Sequence, residues 1–143
     1  MAKFQLISQF LKDVNFKSPN TPELFFKQDN NGAAKLDIAI DIPVKGTENN
    51  IFMVDLVVRV NSKLEADDKS VFEINMTYSG LVQMEKTELE EEQKQTLLVS
   101  VPSLLFPAVR EIILRLTGDS GFPAFAMQPL DFQKKYDDSK AGK

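Results

Sequence analysis

Gly118-Asp119-Ser120-Gly121 matches the string around a serine-protease nucleophile. A seryl hydroxyl attacks only when an imidazole or an amine takes its proton. The chain contains no His, and no local pattern supplies a Lys base. The same four residues read as a helix stop, with Gly118 placed for a left-handed turn. Glu88, Glu90, Glu91 and Glu92 gather carboxylates but lack the Asp/Asn spacing and turn Gly of a calcium loop; they read as acids at a helix N-terminus. Asn75-Met76-Thr77 has the pattern of a glycosylation sequon, inside an expected strand. There is no Cys, so neither a thiolate nucleophile nor a disulfide is available. A Gly-rich phosphate loop is missing too. The sequence is therefore read as having no catalytic residues, no metal ligands and no cofactor: not an enzyme.

What remains is surface and core. The 143 residues suit one domain, read as 1–136, with 137–143 as a flexible C-terminal tail. A net charge of −4 argues against a nucleic-acid partner. No apolar run is read as a membrane span, and Met1-Ala2-Lys3-Phe4 lacks the apolar leader of a secreted chain, so a soluble, cytoplasmic protein is expected. Alternation of period 2 marks four strands: 4–16, 34–44, 52–64 and 72–84, each with its apolar residues at even positions. Pro19-Asn20-Thr21-Pro22, Asp29-Asn30-Asn31-Gly32, Gly46–Asn50 and Ala66–Lys69 are the breaks. The period then changes. Glu88–Val99 reads as a helix closed by Pro102, and Ser103 as the cap of a second, with Leu105, Val109, Ile112 and Leu116 on one face. Phe25 and Phe26, in an extended link, would point opposite ways.

Four strands of this length make an apolar face of about 19 Å by 40 Å. A helix is about 10 Å wide, and 15 residues of it span about 22 Å. One such helix leaves most of that face bare, and bare apolar area of this size marks an interaction surface. The expectation is a homo-oligomer, a hydrophobic binding surface, or both.

Three segments resemble the SecB family of bacterial protein-export chaperones. Lys12-Asp13-Val14-Asn15-Phe16-Lys17-Ser18-Pro19-Asn20-Thr21-Pro22 is similar to the family's K-D-x-x-F-E-x-P-N-x-P. Pro102-Ser103-Leu104-Leu105-Phe106-Pro107-Ala108-Val109-Arg110-Glu111 is similar to its P-x-x-L-F-P-x-x-R-E. Gly121-Phe122-Pro123, followed by Pro129-Leu130-Asp131-Phe132, is similar to its F-P and P-[IV]-[ND]-F. The resemblance runs through residues 3 to 132.

It implies an α+β fold, a four-stranded antiparallel sheet followed by two C-terminal helices, assembled as a homotetramer that is a dimer of dimers. The implied activity is that of an ATP-independent holdase, which keeps preproteins unfolded and passes them to the SecA motor without inserting into a membrane. The groove for unfolded clients is then expected around Phe25, Phe26, Leu36, Ile38, Tyr78, Phe132 and Tyr136. Leu105, Val109, Ile112 and Leu116 are assigned to the oligomer interface, and Asp13 and Glu73 to the face that meets SecA. Two departures weaken that last assignment: Lys17 stands where the family has an acid, and Asn75 replaces the strand-four acid, which moves two places to Glu73 on the same face. They motivate an alternative, a SecB-like chaperone dedicated to one partner such as a toxin–antitoxin pair.

Overall fold

The computed structural model describes residues 3–26, 34–65, 68–86 and 89–141. The expected break at 29–32 lies outside them. Five strands form one antiparallel sheet: β1 (Phe4–Lys17), β2 (Ala34–Asp41), β3 (Val44–Gly46), β4 (Ile51–Leu64) and β5 (Ser70–Met84), in the order β1-β5-β4-β2. The short β3 also pairs with β4, so β2 and β3 are one edge strand interrupted at Ile42-Pro43. Proline has no N–H to give the ladder; its carbonyl still accepts from the Asp55 amide at 3.0 Å. Among the described residues there are three α-helical elements. The link after β1 contains α1 (Glu23–Phe26), α2 spans Glu90–Asp119, and α3 spans Phe132–Ala141.

Strand β1 departs from simple alternation. It carries two bulges against β5, with Ile7 and Lys12 as the extra residues. Directly paired residues share a face. Phe4 and Leu6 oppose buried Met84 and Val82; beyond the first bulge it is Gln9 and Leu11 that oppose Gly80 and Tyr78; beyond the second, Val14 and Phe16 oppose Met76 and Ile74. Phe10, an inward residue by parity, instead pairs with Ser79 on the outer face. A bulge adds one residue and so reverses inside and outside.

Helix α2 is longer than expected. Pro102 does not end it: an α-turn at Glu90–Gln95 passes through a π-turn at Thr96–Ser100 into Val101–Asp119. The wider π-turn loosens the bonding frame just before Pro102, which then sits at the start of the next α-segment, where its missing N–H is least costly. Ser103 is not a cap; its hydroxyl donates to the Val99 carbonyl at 2.6 Å. Pro107 lies inside the helix. Nor does Gly118 stop it. The helix ends at Asp119, and Gly121, at φ +88°, takes the left-handed turn. The Phe122 amide then bonds back to the Thr117 carbonyl at 3.2 Å, closing the helix end. Ser120, the would-be nucleophile, donates its hydroxyl to the Leu116 carbonyl at 2.6 Å.

Leu105, Val109 and Ile113 of α2 are fully buried against the two inner strands, which contribute Val54, Leu56, Val58, Val60, Ile74, Met76 and Val82. Leu105 and Val109 are thus core residues and not a surface for a second subunit; Ile112 and Leu116 border them, half-buried. Helix and sheet approach closely at Gly80, where a Cβ would stand 2.9 Å from Leu105 Cδ2. Gly80→Ala is expected to lower stability by about 1–3 kcal/mol through overpacking, read as the urea midpoint by circular dichroism. In a Leu105→Ala background most of that loss should vanish; equal losses in both backgrounds would remove the close approach as its cause.

Candidate functional site

The sheet's inner face is covered unevenly. Every even residue of β4 and β5 except Phe52 and Ser70 is buried, Gly80 being closed off by Leu105. The edge strands are different. On the same face, Leu11 and Val14 of β1 keep 41% and 38% of their surface, and Leu36 and Ile38 of β2 keep 43% each. One helix about 10 Å wide shields two strands and leaves the outer two.

The residues expected to line a groove fall into two sets. Phe25, Leu36 and Ile38 are exposed apolar side chains. Tyr78, Phe132 and Tyr136 are buried within this single chain. Tyr78 lies beneath β1, its hydroxyl oxygen accepting from Gln9 Nε2 at 2.9 Å, and Phe132 packs edge-on against Phe106. Phe26 ends α1, and its side chain lies outside the described residues. The Phe25-Phe26 link is one turn of helix rather than extended chain. It follows a turn fastened by Ser18 Oγ to the Val71 carbonyl (2.8 Å) and Asn20 Nδ2 to the Ser70 carbonyl (3.0 Å), with a cis Thr21–Pro22 bond between.

Phe25 ends a chain of rings that was not visible in the spacing. Phe16 stacks on Phe72 at 5.9 Å, Phe72 meets Phe122 at 5.6 Å, and Phe122 meets Phe25 at 5.4 Å. The segment after α2 is held by Thr117, whose buried hydroxyl oxygen accepts the Phe125 amide at 2.9 Å. Between α2 and that segment is a cleft of about 410 Å³ with Phe106, Leu114, Pro129 and Leu130 on its walls and Arg110 and Glu111 at its rim.

The C-terminal residues are not a frayed tail from 137 onward; α3 continues to Ala141. It docks through Phe132 and Tyr136 and a polar clasp. The Tyr136 hydroxyl donates to Glu91 Oε1 at 2.9 Å, and Lys140 Nζ reaches the same oxygen while lying 5.2 Å from the Tyr136 ring centre. Lys140 first, then Tyr136, holds the Glu91 carboxyl below its ordinary value. Burial first, then Glu91, raises the Tyr136 phenol, and Glu91 raises the Lys140 ammonium.

The outer face of the sheet carries the acids. Asp13 pairs with Thr77 on it, and Glu73 lies opposite Lys17 on β1 and Asn61 on β4. Asp13 and Glu73 therefore share this face about 13 Å apart along the strands. Asp55, also outward, accepts from buried Ser79 Oγ at 2.5 Å and faces Lys12 at 3.8 Å. Among the described residues, no cluster of three or more acids could hold a metal ion.

The whole chain, residues 1–143, matches the family described as preprotein translocase subunit SecB. The chain belongs to the SecB family. The protein-export protein SecB of Ehrlichia ruminantium is 31% identical, over 94% of this chain and 87% of that protein. That of Caulobacter vibrioides is 30% identical, over 98% and 83%. Among solved structures, a SecB-like chaperone of Mycobacterium tuberculosis, in complex with a peptide from an antitoxin, superposes with a TM-score of 0.74. It is 17% identical, covers 90% of this chain and 91% of that one, and supports the fold. SecB membership makes the protein a chaperone of protein export, not an enzyme. Helix α2 is long and apolar enough, by composition alone, to cross a membrane. In the SecB fold it is the core helix, with its inner face against the sheet.

The clasp sets a pH range. Glu91 has a lowered folded-state pKa, so its contribution is complete above the ordinary carboxyl value of 4.5 and is lost as pH falls through the lowered one. Tyr136 and Lys140 have raised values, so theirs are complete below 10.0 and 10.5 and are lost as pH rises through the raised ones. The Glu91 carboxyl carbon should titrate below 4.5 by NMR and move up toward it in Lys140→Ala; coincident curves would dismiss Lys140 as the cause.

Proposed function

We propose that this SecB-family chaperone is an ATP-independent holdase. It takes up unfolded preproteins on the uncovered apolar edges of its sheet, in the cytoplasm, as a homotetramer built from two dimers, and hands them to SecA. The observation that carries the reading is the exposure of Leu11, Val14, Leu36 and Ile38 on the face whose inner strands are buried. No bond need be made or broken. An unfolded client has apolar side chains in water, and burying them lowers free energy by roughly 25 cal/mol per Å². Strand β2 pairs only with β4 among the described residues, so its second edge also offers N–H and C=O groups to an extended client. Several such edges on one tetramer add avidity along one client chain.

For client contact, Phe25, Leu36 and Ile38 are the surface residues of this reading. Tyr78, Phe132 and Tyr136 are buried in the core of the same chain, and Phe26 follows Phe25 in α1. For SecA contact, Asp13 and Glu73 are the acids of the outer face. Lys17 sits across from Glu73 and offsets its charge, so attraction of a basic SecA segment rests more on Asp13. A peptide-bound SecB-like neighbour fits a client surface of this kind, and its antitoxin peptide keeps the dedicated-partner alternative in view.

Light scattering should give a tetramer mass, and the protein should suppress aggregation of a chemically denatured precursor without nucleotide. Leu36→Asp with Ile38→Asp should weaken client affinity about ten-fold or more, on about 1.5 kcal/mol or more per apolar side chain, with an unchanged circular dichroism spectrum. A folded monomer without effect on aggregation would sink the holdase reading. Asp13→Arg should reduce SecA binding and spare aggregation suppression; client binding with no SecA binding in the parent protein would favour the dedicated chaperone.

A further inference from the structure

Strand β2 is an edge with two unlike faces. Its eight residues, Ala34–Asp41, pair with β4 and with no other strand among the described residues. In an antiparallel pair every second residue turns its N–H and C=O away from the partner. The open side of β2 is thus a row of backbone donors and acceptors about 26 Å long. Side chains alternate between the two faces. Leu36 and Ile38, each 43% exposed, and half-buried Ile40 lie on the inner one. Asp37, Ala39 and Asp41, all exposed, lie on the outer one.

The outer row carries charge that the chain itself leaves open. Lys35 is taken by Asp68 at 3.1 Å. Asp37 and Asp41 take part in no ion pair among the described residues. Their cross-strand neighbours on β4 are Asn61 and Val57, both uncharged. Arg59 stands between them, opposite Ala39, one cation set diagonally to two carboxylates. The outer side of this edge therefore keeps an excess of negative charge, while its inner side is apolar.

We infer, on the holdase reading above, that the open edge of β2 takes up an extended client segment as an added strand, and that Asp37 and Asp41 select segments in which basic and apolar residues alternate. Directly paired residues of neighbouring strands share a face. An added strand therefore sets one parity beside Leu36, Ile38 and Ile40 and the other beside Asp37, Ala39 and Asp41. Apolar side chains belong to the first parity. Bases belong opposite the two acids, four residues apart, with a small residue between them opposite Ala39. Along β2 the matching order is apolar, basic, apolar, small, apolar, basic. Backbone bonding holds an extended segment of any sequence. The acids add a preference for pattern, because a slip of one residue carries every side chain to the wrong face. A segment with acids in place of the bases is repelled at both positions.

The probes are fluorescein-labelled peptides with Gly/Ser flanks, followed by fluorescence anisotropy at low salt. One carries the core Val-Lys-Val-Ser-Val-Lys. A second has the same residues in blocks, Val-Val-Val-Ser-Lys-Lys, and a third has Glu for Lys in the alternating order. The parent protein should bind the first about three- to ten-fold tighter than the second, the size of two exposed cross-strand ion pairs, and the third most weakly. Asp37→Lys with Asp41→Lys should reverse the order of the first and third. A second readout needs no variant. In an added strand alternate N–H groups face β2, so N-methylation of one parity of the first peptide should weaken binding about ten-fold or more, and of the other parity less than about two-fold. Equal affinity for the first two peptides, or an equal effect of the two methylation patterns, overturns the pattern-reading edge. If the parent protein still suppresses aggregation of a denatured precursor, the holdase reading then stands. A parent protein that binds none of the peptides and suppresses no aggregation overturns both.

Discussion

A helix is about 10 Å wide and four strands are about 19 Å across. That difference governs the molecule. Laid over β4 and β5, α2 buries the inner strands almost completely and cannot reach β1 or β2. The apolar residues of the edge strands are then left over by geometry, whatever the length of the helix. At 30 residues α2 is long, and length alone does not widen it. The fold thus leaves part of its hydrophobic face uncovered within the single chain.

Two local devices let α2 lie where it does. Gly80 removes a side chain beneath Leu105, so the helix can sit low on the sheet. The π-turn at Thr96–Ser100 absorbs the approach to Pro102. Neither lies among the exposed apolar residues, yet both fix the height and line of the helix, and through them how much of the edge strands remains uncovered. The clasp of Glu91, Tyr136 and Lys140 is different in kind. It is polar and at the surface, and it fastens an α3 in which, among the described residues, only Phe132 and Tyr136 are buried.

The strands were legible because period 2 persists over many residues, and β4 and β5 follow it closely. The uncovered face followed from dimensions alone. The segments at 12–22, 102–111 and 121–132 together pointed to the family. Other features needed three dimensions. Local rules assign Pro102 a helix end, and burial of Leu97, Val101, Leu105 and Val109 overrides them. The stripe at Leu105, Val109, Ile112 and Leu116 is a true helical face, but periodicity does not say whether sheet or neighbour lies against it. Gly118 and Gly121 are equally good stops in sequence; the bond from Phe122 back to Thr117 selects the second. The ring chain joins residues from four separate parts of the chain, and no spacing announces it. Phe10 and Leu11 exchange faces because bulges are invisible to a parity count, although Ile7 and Leu11, apolar at odd positions, were a hint.

Those bulges have a consequence for how the strand tolerates change in length. Ile7 and Lys12 each stand opposite no residue of β5. Losing either would restore simple alternation locally and leave Leu6, Gln9, Leu11 and Val14 facing the same way. Losing Gln9 or Asn15 would push the surrounding residues out of phase with their partners until the ladder slipped. The edge strand therefore carries two joints at which the loss of one residue leaves the pattern of inward residues unchanged.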